Sequence, residues 1–255
     1  MENNLRSTPD PIQVALLSDI HGNLPALEAV YAHAVEQGAQ TFLNAGDLVG
    51  YGPFPNECIN FTRQHDFISV IGDYDQKVLL FPQKKEKFRK KKHPLRFISF
   101  EWAYQHTTPA NLEYLQQLPS SIKIKLGEKD FLLTHGSPVR VNDYLGPHTT
   151  HSEWLQMRTL VECDFVITGN THIFWVEEVK NTFFINPGSV GRQDDGDPRA
   201  SYVMLSLGKH IKIEQHIIPY DISPISTALR SHELPQAFIT MFEKGISLKG
   251  ALEND

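Results

Sequence analysis

Short apolar runs alternate with helical patterns in the first 71 residues of the chain. Apolar runs at residues 14–17, 41–43 and 67–71 predict three buried strands, because buried strands are short and continuously hydrophobic. Between them, apolar positions recur at helical spacing over residues 24–34, and residues 55–64 also favour a helix. This alternation is typical of a mostly parallel sheet with helices on its faces.

Strand patterns dominate the second half of the chain, where turn signals such as Gly127-Glu128 predict hairpins. The predicted strands cover residues 122–126, 131–134, 165–168, 172–179, 182–186, 202–207 and 211–218. One helix is expected over residues 152–162, and one or two surface helices after residue 220. We therefore expect one domain with two stacked sheets and helices outside.

A dense basic run, KKEKFRKKK at residues 84–92, separates the two halves. We expect it to form a solvated loop or helix end, and a patch for a polyanionic substrate or nucleic acid is the alternative. Two helices follow at residues 95–105 and 109–117, and Thr108 suits the N-cap of the second.

Composition narrows the class of protein. The chain has 255 residues, 40% of them hydrophobic, and its 24 Lys+Arg against 30 Asp+Glu give a net charge of −6. An acidic chain is a poor candidate for a general nucleic-acid binder, and no apolar run reaches the ~18 residues of a membrane span. Cys58 and Cys163 are too few for a disulfide framework, and the polar residues 1–11 lack the apolar core of a signal peptide. We therefore expect a cytoplasmic protein with no membrane partner.

Acidic and histidine side chains follow five predicted strands directly. They are Asp19 and His21, then Asp47, Asp73, His135, and finally Asn170 with His172. Ligands bind outside the carboxyl ends of strands in open α/β sheets, so these groups are expected to converge. Because packed carboxylates repel each other unless a cation lies between them, the pattern predicts a metal centre for Mn, Fe, Zn or a similar ion. Gly46, Gly72 and Gly169 precede candidate ligands and are expected to allow sharp turns.

These segments resemble the motifs of the calcineurin-like metallophosphoesterases, in the same order along the chain. The matching segments are Asp19-Ile-His21, Gly46-Asp47, Gly72-Asp73-Tyr74-Asp75, Thr134-His135-Gly136 and Gly169-Asn170-Thr171-His172. Further segments are similar to a small bacterial branch of that family. The resemblance implies a four-layer α/β/β/α sandwich of two mixed sheets flanked by helices. It places this domain at residues 12–220 and a helical extension at residues 221–255.

The resemblance also implies hydrolysis of a phosphomonoester or phosphodiester, nucleotides included, at a dinuclear centre. One metal ion would bind to Asp19, His21, Asp47 and His172, and the other to Asp47, Asp73, His135 and Asn170. The catalytic roles would fall to Asp47, Asp73, Tyr74 and His135. Arg192 is a candidate bidentate donor to the substrate phosphate, and Ser189 lies in a segment whose backbone could bind it.

The second metal site departs from the family pattern. Asp73 replaces the usual Asn, Asn170 the usual first His of Gly-His-x-His, and Tyr74 the usual His of Gly-Asn-His-Asp. An amide oxygen is a weaker ligand than imidazole for zinc or iron, so this site favours Mn or Mg. One ion is expected to bind firmly. Three alternatives stay open: a two-metal enzyme, a weak one-metal enzyme, and a metal- or nucleotide-binding module without turnover. The oligomeric state is not predicted.

Overall fold

The computed structural model describes residues 11–253. The polar N-terminal segment on which we based the absence of a signal peptide therefore lies, apart from Pro11, outside the described residues. Ten strands form in the described part of the chain: β1 (Ile12–Leu17), β2 (Thr41–Asn44), β3 (Ile68–Ser69), β4 (Ser121–Leu126), β5 (Lys129–Thr134), β6 (Phe165–Ile167), β7 (Phe174–Val179), β8 (Thr182–Pro187), β9 (Ala200–Leu207) and β10 (Ile211–Ile218). None of the helices there is long and apolar enough to cross a membrane.

Ten helices accompany these strands within residues 11–253. They are α1 (Leu24–Glu36), α2 (Pro55–Gln64), α3 (Asp73–Leu79), α4 (Phe81–Lys91), α5 (Pro94–His106), α6 (Pro109–Gln117), α7 (His151–Thr159), α8 (Ser223–Ser231), α9 (Gln236–Lys244) and α10 (Leu248–Leu252). The helices α2 and α6 have the predicted bounds, and the Thr108 side chain caps α6 by accepting from the Asn111 N–H. Strand β3 is shorter than predicted.

Two mixed five-stranded sheets form the centre of the molecule, which confirms the predicted fold class. Their strand orders are β10-β9-β1-β2-β3 and β4-β5-β6-β8-β7. In the first sheet β1 and β2 are parallel, as are β2 and β3, and in the second β6 is parallel to both β5 and β8. The carboxyl ends of these parallel strands carry the candidate ligands.

Strand β1, at the centre of the first sheet, is buried on both faces over residues 14–17. Val14 and Leu16 belong to the hydrophobic core shared with Phe131 and Phe165 of the second sheet, whereas Leu17 belongs to the core under the helices. Because successive side chains of a strand point to opposite faces, residues 14–17 of β1 all have to be apolar. This explains why the strand appears as a continuous hydrophobic run.

The structure sharpens one expectation about the helices and corrects another. The basic run is no loop: it forms the C-terminal part of a regular helix, α4, because Phe81 and Phe88 bury one face while the lysines and arginines, which are good helix formers, face outward. The helices after residue 220 are not simple surface elements: Leu229 and Phe238 are fully buried in a separate core that includes Tyr51. Their apolar faces pack on the loop that follows β2.

Candidate metal centre

The loops after five strands bring the predicted ligands to one end of the two sheets. Asp19 and His21 follow β1, Asp47 follows β2, and His135 follows β5. Two groups of ligand atoms lie within 4.8 Å of one another, and they consist of Asp19, His21 and His172, and of Asp19, Asp47 and His135. All of these side chains are buried. Asp73 and Asn170 lie outside the two groups but line the same cleft as Asp47 and His172.

Five of the seven candidate ligands have left-handed backbone conformations. Their φ angles are 55° at Asp19, 49° at His21, 58° at Asp47, 69° at Asn170 and 61° at His172. Such conformations are costly for residues other than glycine and persist only where the surrounding structure fixes them. Here backbone hydrogen bonds between neighbouring loops fix them, including Asp19 N–H to Gly46 O at 3.0 Å and His21 N–H to Asp47 O at 2.9 Å.

Glycine is required next to the ligands mainly because the loops approach one another closely. A Cβ at Gly72 would lie 2.0 Å from Asp47 Oδ1, and one at Gly169 would lie 1.8 Å from Ser18 Oγ. Neither of these two glycines has a positive φ, whereas Gly46, with a φ of 98°, makes the sharp turn expected of it. A side chain at either position would push apart the two loops that carry the ligands.

Three histidines present the same ring nitrogen to the cluster. The Nδ1–H groups of His21, His135 and His172 donate to the carbonyl oxygens of Val49, Ala45 and Arg192, respectively. The metal-binding nitrogen of each ring is therefore Nε2, which in His172 also accepts from Arg192 Nη2 at 3.3 Å. A carbonyl acceptor on the second nitrogen is the usual arrangement of a metal-binding histidine, since it fixes both the tautomer and the ring orientation.

The spacing of the ligand atoms fits a metal ion. On one side of the centre, His172 Nε2 lies 3.3 Å from His21 Nε2 and 3.3 Å from Asp19 Oδ1. Ligand atoms about 2.0–2.2 Å from one tetrahedral ion are roughly 3–4 Å apart, so this group has the right dimensions. We call Asp19, His21 and His172 the histidine side. Asp47 Oδ2 lies 3.6 Å from His21 Nε2 and 3.4 Å from His135 Nε2, which suits a bridging carboxylate.

The other half of the centre, which we call the altered side, consists of Asp73, His135 and Asn170. His135 Nε2 and Asp73 Oδ1 are buried without a hydrogen-bond partner in the part of the chain that the structure describes. Such orphaned atoms are costly unless a ligand satisfies them. The Asn170 amide donates to Asp143 O at 2.9 Å, which leaves its oxygen for the cluster.

The electrostatic environment of the cluster also favours a bound cation. Although burial disfavours a charged imidazole, the surrounding carboxylates of Asp47, Asp19 and Asp73 raise the pKa of His135 to about 10. Burial and the nearby Asp47 carboxylate raise the pKa of Asp19 to about 7, with His135 opposing them. Burial lowers the pKa of His21 to about 3, so this ring is neutral, as a metal ligand has to be. A divalent ion would satisfy the carboxylates and the neutral rings together.

Two charged residues near the cluster, Lys77 and Asp75, were not predicted from the sequence to have a function. Lys77 Nζ makes a short ion pair with Asp73 Oδ2 and lies 4.6 Å from the centre of the Tyr74 ring. The sequence could have predicted this ion pair, because Asp73 and Lys77 are four residues apart on one helix and are therefore neighbours on its surface. Asp75 is fully buried and accepts backbone N–H bonds from Asp47, Val49 and Gly72 at 3.0–3.1 Å. It therefore ties the Asp47 loop to the start of α3.

The Tyr74 side chain packs against the centre, and its hydroxyl is protonated. Its backbone N–H donates to Asp47 Oδ1 at 2.7 Å, and its ring meets the His21 ring edge-on at 5.2 Å. Burial raises the pKa of the Tyr74 hydroxyl well above its usual value, and that hydroxyl shares a 2.6 Å hydrogen bond with Tyr51.

The two predicted substrate-binding residues have different surroundings. Arg192 lines the cleft, pairs through both amino groups with Asp194, and has a buried Nε without a partner among residues 11–253. Ser189 is fully buried: its hydroxyl donates to Asp19 O and accepts from the Arg192 N–H, both at 2.8 Å. This favours a role for Ser189 in joining the two loops rather than in touching a substrate.

Comparison with known proteins identifies the class. A two-sheet sandwich with Asp and His ligands at its strand ends is the architecture of a metal-dependent phosphoesterase, a hydrolase. The chain belongs to the calcineurin-like phosphoesterase superfamily, whose domain model matches residues 12–210.

One of the relatives has a name that states a class of reaction. Phosphodiesterase YfcE of Escherichia coli K12 is 27% identical over 209 residues, which cover 76% of this chain and 87% of YfcE. An uncharacterized protein of Methanocaldococcus jannaschii is 30% identical over 240 residues, 88% of this chain and 94% of the relative. A metallophosphoesterase structure from Sphaerobacter thermophilus superposes with a TM-score of 0.77 at 27% identity, covering 93% of this chain and all of that one.

Proposed function

We propose that this enzyme hydrolyses small phosphate esters, nucleotides among them, at a two-metal centre whose second site is altered. The observation that supports this most strongly is the set of imidazole Nε2 and carboxylate oxygen atoms 3.3–4.0 Å apart at the ends of β1, β2, β5 and β6. Nucleic acid is not proposed as a partner, because the net charge of the chain is −6.

The ligand sets in this proposal follow the motifs. The first ion would be held by Asp19, His21, Asp47 and His172, and the second by Asp47, Asp73, His135 and Asn170. Three oxygen donors and one nitrogen donor at the second site favour manganese over zinc. Bound ions would supply Lewis acidity that activates water and neutralises the phosphoryl oxygens.

The remaining residues orient the substrate and the ligands. The Nε–H group of Arg192, which has no partner among residues 11–253, can donate to a phosphate oxygen in the cleft. The Tyr74 hydroxyl, whose pKa burial raises, stays protonated at neutral pH. It can therefore donate a hydrogen bond to a leaving group but cannot act as a base. The His135 and Asp73 side chains complete the second site.

We further propose residues 12–220 as the catalytic domain and residues 221–255 as its helical extension. The extension contributes Ser247, Leu248 and Lys249 to the cleft that contains Asp47 and Asp73. A cytoplasmic setting is also proposed, and the two free cysteines, Cys58 and Cys163, support it.

A one-metal enzyme of low activity is the second candidate function. The observation in its favour is that the Lys77 ammonium pairs with Asp73, the carboxylate that a second ion would need. Asn170 moreover offers that ion an amide oxygen in place of an imidazole, which is a weaker ligand for zinc or iron.

The test is hydrolysis of bis(p-nitrophenyl) phosphate by metal-stripped protein titrated with Mn²⁺, with Asp47→Asn and the exposed control Asp130→Asn. We expect saturable Mn²⁺-dependent turnover in the wild type and the control. Asp47→Asn should bind less metal, and its turnover should fall by more than roughly 100-fold. Removal of a ligand costs more than removal of an outer hydrogen bond to that ligand. Unchanged turnover in Asp47→Asn, or no turnover with Mn, Mg, Zn or Fe in folded protein, would contradict the proposal.

A further inference from the structure

A larger cavity adjoins the metal cleft. It has a volume of about 630 Å³ and lies between the loop that follows β5 and the helix α7. Tyr144 and Thr171 line both the cavity and the cleft, so the two spaces are neighbours that share a wall. We call this space the side cavity. Its volume is in the range of pockets that hold ligands of nucleoside size.

The two spaces differ in charge. Besides the candidate metal ligands, the cleft is lined by four basic residues and one acidic residue: Lys77, Arg96, Arg192, Lys249 and Asp194. In the part of the chain that the structure describes, the side cavity is lined by no lysine or arginine, and its charged residues are Asp143 and Glu153. An anionic group is therefore favoured in the cleft and disfavoured in the side cavity.

The side cavity offers hydrogen-bond acceptors. Asp143 Oδ2 accepts from Ser137 Oγ at 2.7 Å, and Glu153 Oε2 accepts from the Thr150 N–H and hydroxyl at 2.7 Å each. The second oxygen of each carboxylate has no hydrogen-bond partner within residues 11–253. These two oxygens suit a ligand that carries N–H or O–H donors.

Apolar surface completes the lining. Tyr144 is 74% exposed and Ile173 is 41% exposed, and both face this space together with Met157. Large apolar side chains left uncovered beside an active site commonly mark a place for an organic ligand. A planar ring could lie against Tyr144.

We propose that the side cavity binds the esterified organic group of the substrate, and that this group is an uncharged, donor-bearing group of nucleoside size. The inference rests on the proposed hydrolytic function, because it assigns the phosphate to the metal cleft. It adds a specificity site formed by residues 137–157 and by Thr171 and Ile173.

Two diesters with the same leaving group and the same charge test the proposal. They are methyl p-nitrophenyl phosphate and p-nitrophenyl thymidine 5′-phosphate. In each, water forms a new P–O bond, the bond to p-nitrophenolate breaks, and one proton is released. We expect kcat/KM to be at least about 10-fold higher for the thymidine ester, the lower range of discrimination that a pocket provides. Equal values would overturn the inference while leaving the hydrolytic function intact.

Cavity-filling variants locate the effect. Gln156 is an exposed residue of α7 that lines the side cavity, so Gln156→Trp should reduce the ratio of the two kcat/KM values about 10-fold. Gln116→Trp, an exposed position on α6, is the matched control and should leave the ratio unchanged. A ratio unaffected by Gln156→Trp would contradict the assignment.

Binding to metal-stripped protein gives a readout that does not depend on turnover. We expect thymidine 5′-monophosphate to bind more tightly than inorganic phosphate by calorimetry, and Gln156→Trp to remove the difference. If neither ester is hydrolysed but this difference is found, the hydrolytic function fails and the side cavity is supported. If the two ligands bind equally, the side cavity is not a nucleoside site.

Discussion

The two sides of the metal centre are organised differently. On the histidine side, His21 and His172 are neutral rings whose Nδ1 atoms are held by carbonyls, and their Nε2 atoms already lie 3.3 Å apart. On the altered side, Asp73 is paired with Lys77, and Asn170 supplies an amide in place of a ring. The comparison shows that backbone hydrogen bonds preorganise one half of the candidate centre, whereas the other half also depends on a local balance of charge.

The difference has a simple physical origin. Two carboxylates near one another in a buried cleft repel, and Asp73 has a pKa raised by burial and by Asp47. Lys77 opposes that shift from one helical turn away. A neutral Asn at position 73 would need no such partner. We therefore infer that Lys77 accompanies the extra carboxylate and competes with the second ion for it.

The largest effect is expected from breaking the histidine side. His172→Ala removes a ring nitrogen that lies 3.3 Å from both His21 Nε2 and Asp19 Oδ1. Mn²⁺ affinity at the tighter site should fall by more than about 100-fold, since removing a ligand costs more than removing its outer partner. Calorimetric titration measures this. The exposed His210→Ala is the control, and equal affinities in the two variants would contradict the assignment.

Asn170→His sharpens the comparison by giving the altered side an imidazole. The backbone φ of 69° at this position is one that histidine tolerates, as His172 shows at 61°. We expect the preference of the weaker site for Zn²⁺ over Mn²⁺ to rise on the order of 10-fold, because imidazole suits zinc. Competitive metal binding checks this, with Asn170→Ala as the control that should show no such gain.

The smallest effect is expected from Lys77→Met. Removing the ammonium frees Asp73 and removes repulsion between Lys77 and a second cation. Because partly exposed ion pairs contribute little, Mn²⁺ affinity at the weaker site should rise only about 2- to 5-fold. Lys85→Met, which breaks the ion pair with Glu101 instead, should leave the affinity unchanged. Weaker Mn²⁺ binding in Lys77→Met would show that Lys77 supports the site rather than competing with it.

Much of the fold and of the candidate centre could be predicted, because one residue pattern indicates both the strands and the ligands. The buried residues 14–17 of β1 are continuously apolar, and the ligands come directly after them, so strand ends and site residues were found together. The role of Asp75 was not predictable in this way, since its partners are backbone N–H groups of loops distant in sequence. The packing of Phe238 against Tyr51 was missed for the same reason: it depends on tertiary contacts.

The most direct test of a two-metal centre with unequal sites is to count ions and measure turnover on the same samples. Metal-stripped protein is dialysed against increasing Mn²⁺, bound ions are quantified by mass spectrometry, and aryl phosphodiester hydrolysis is followed in parallel. The account predicts two ions per chain, the first bound at least about 10-fold more tightly, with turnover rising as the second binds. Turnover that is already maximal at one ion per chain, or two ions bound with equal affinity, would contradict it.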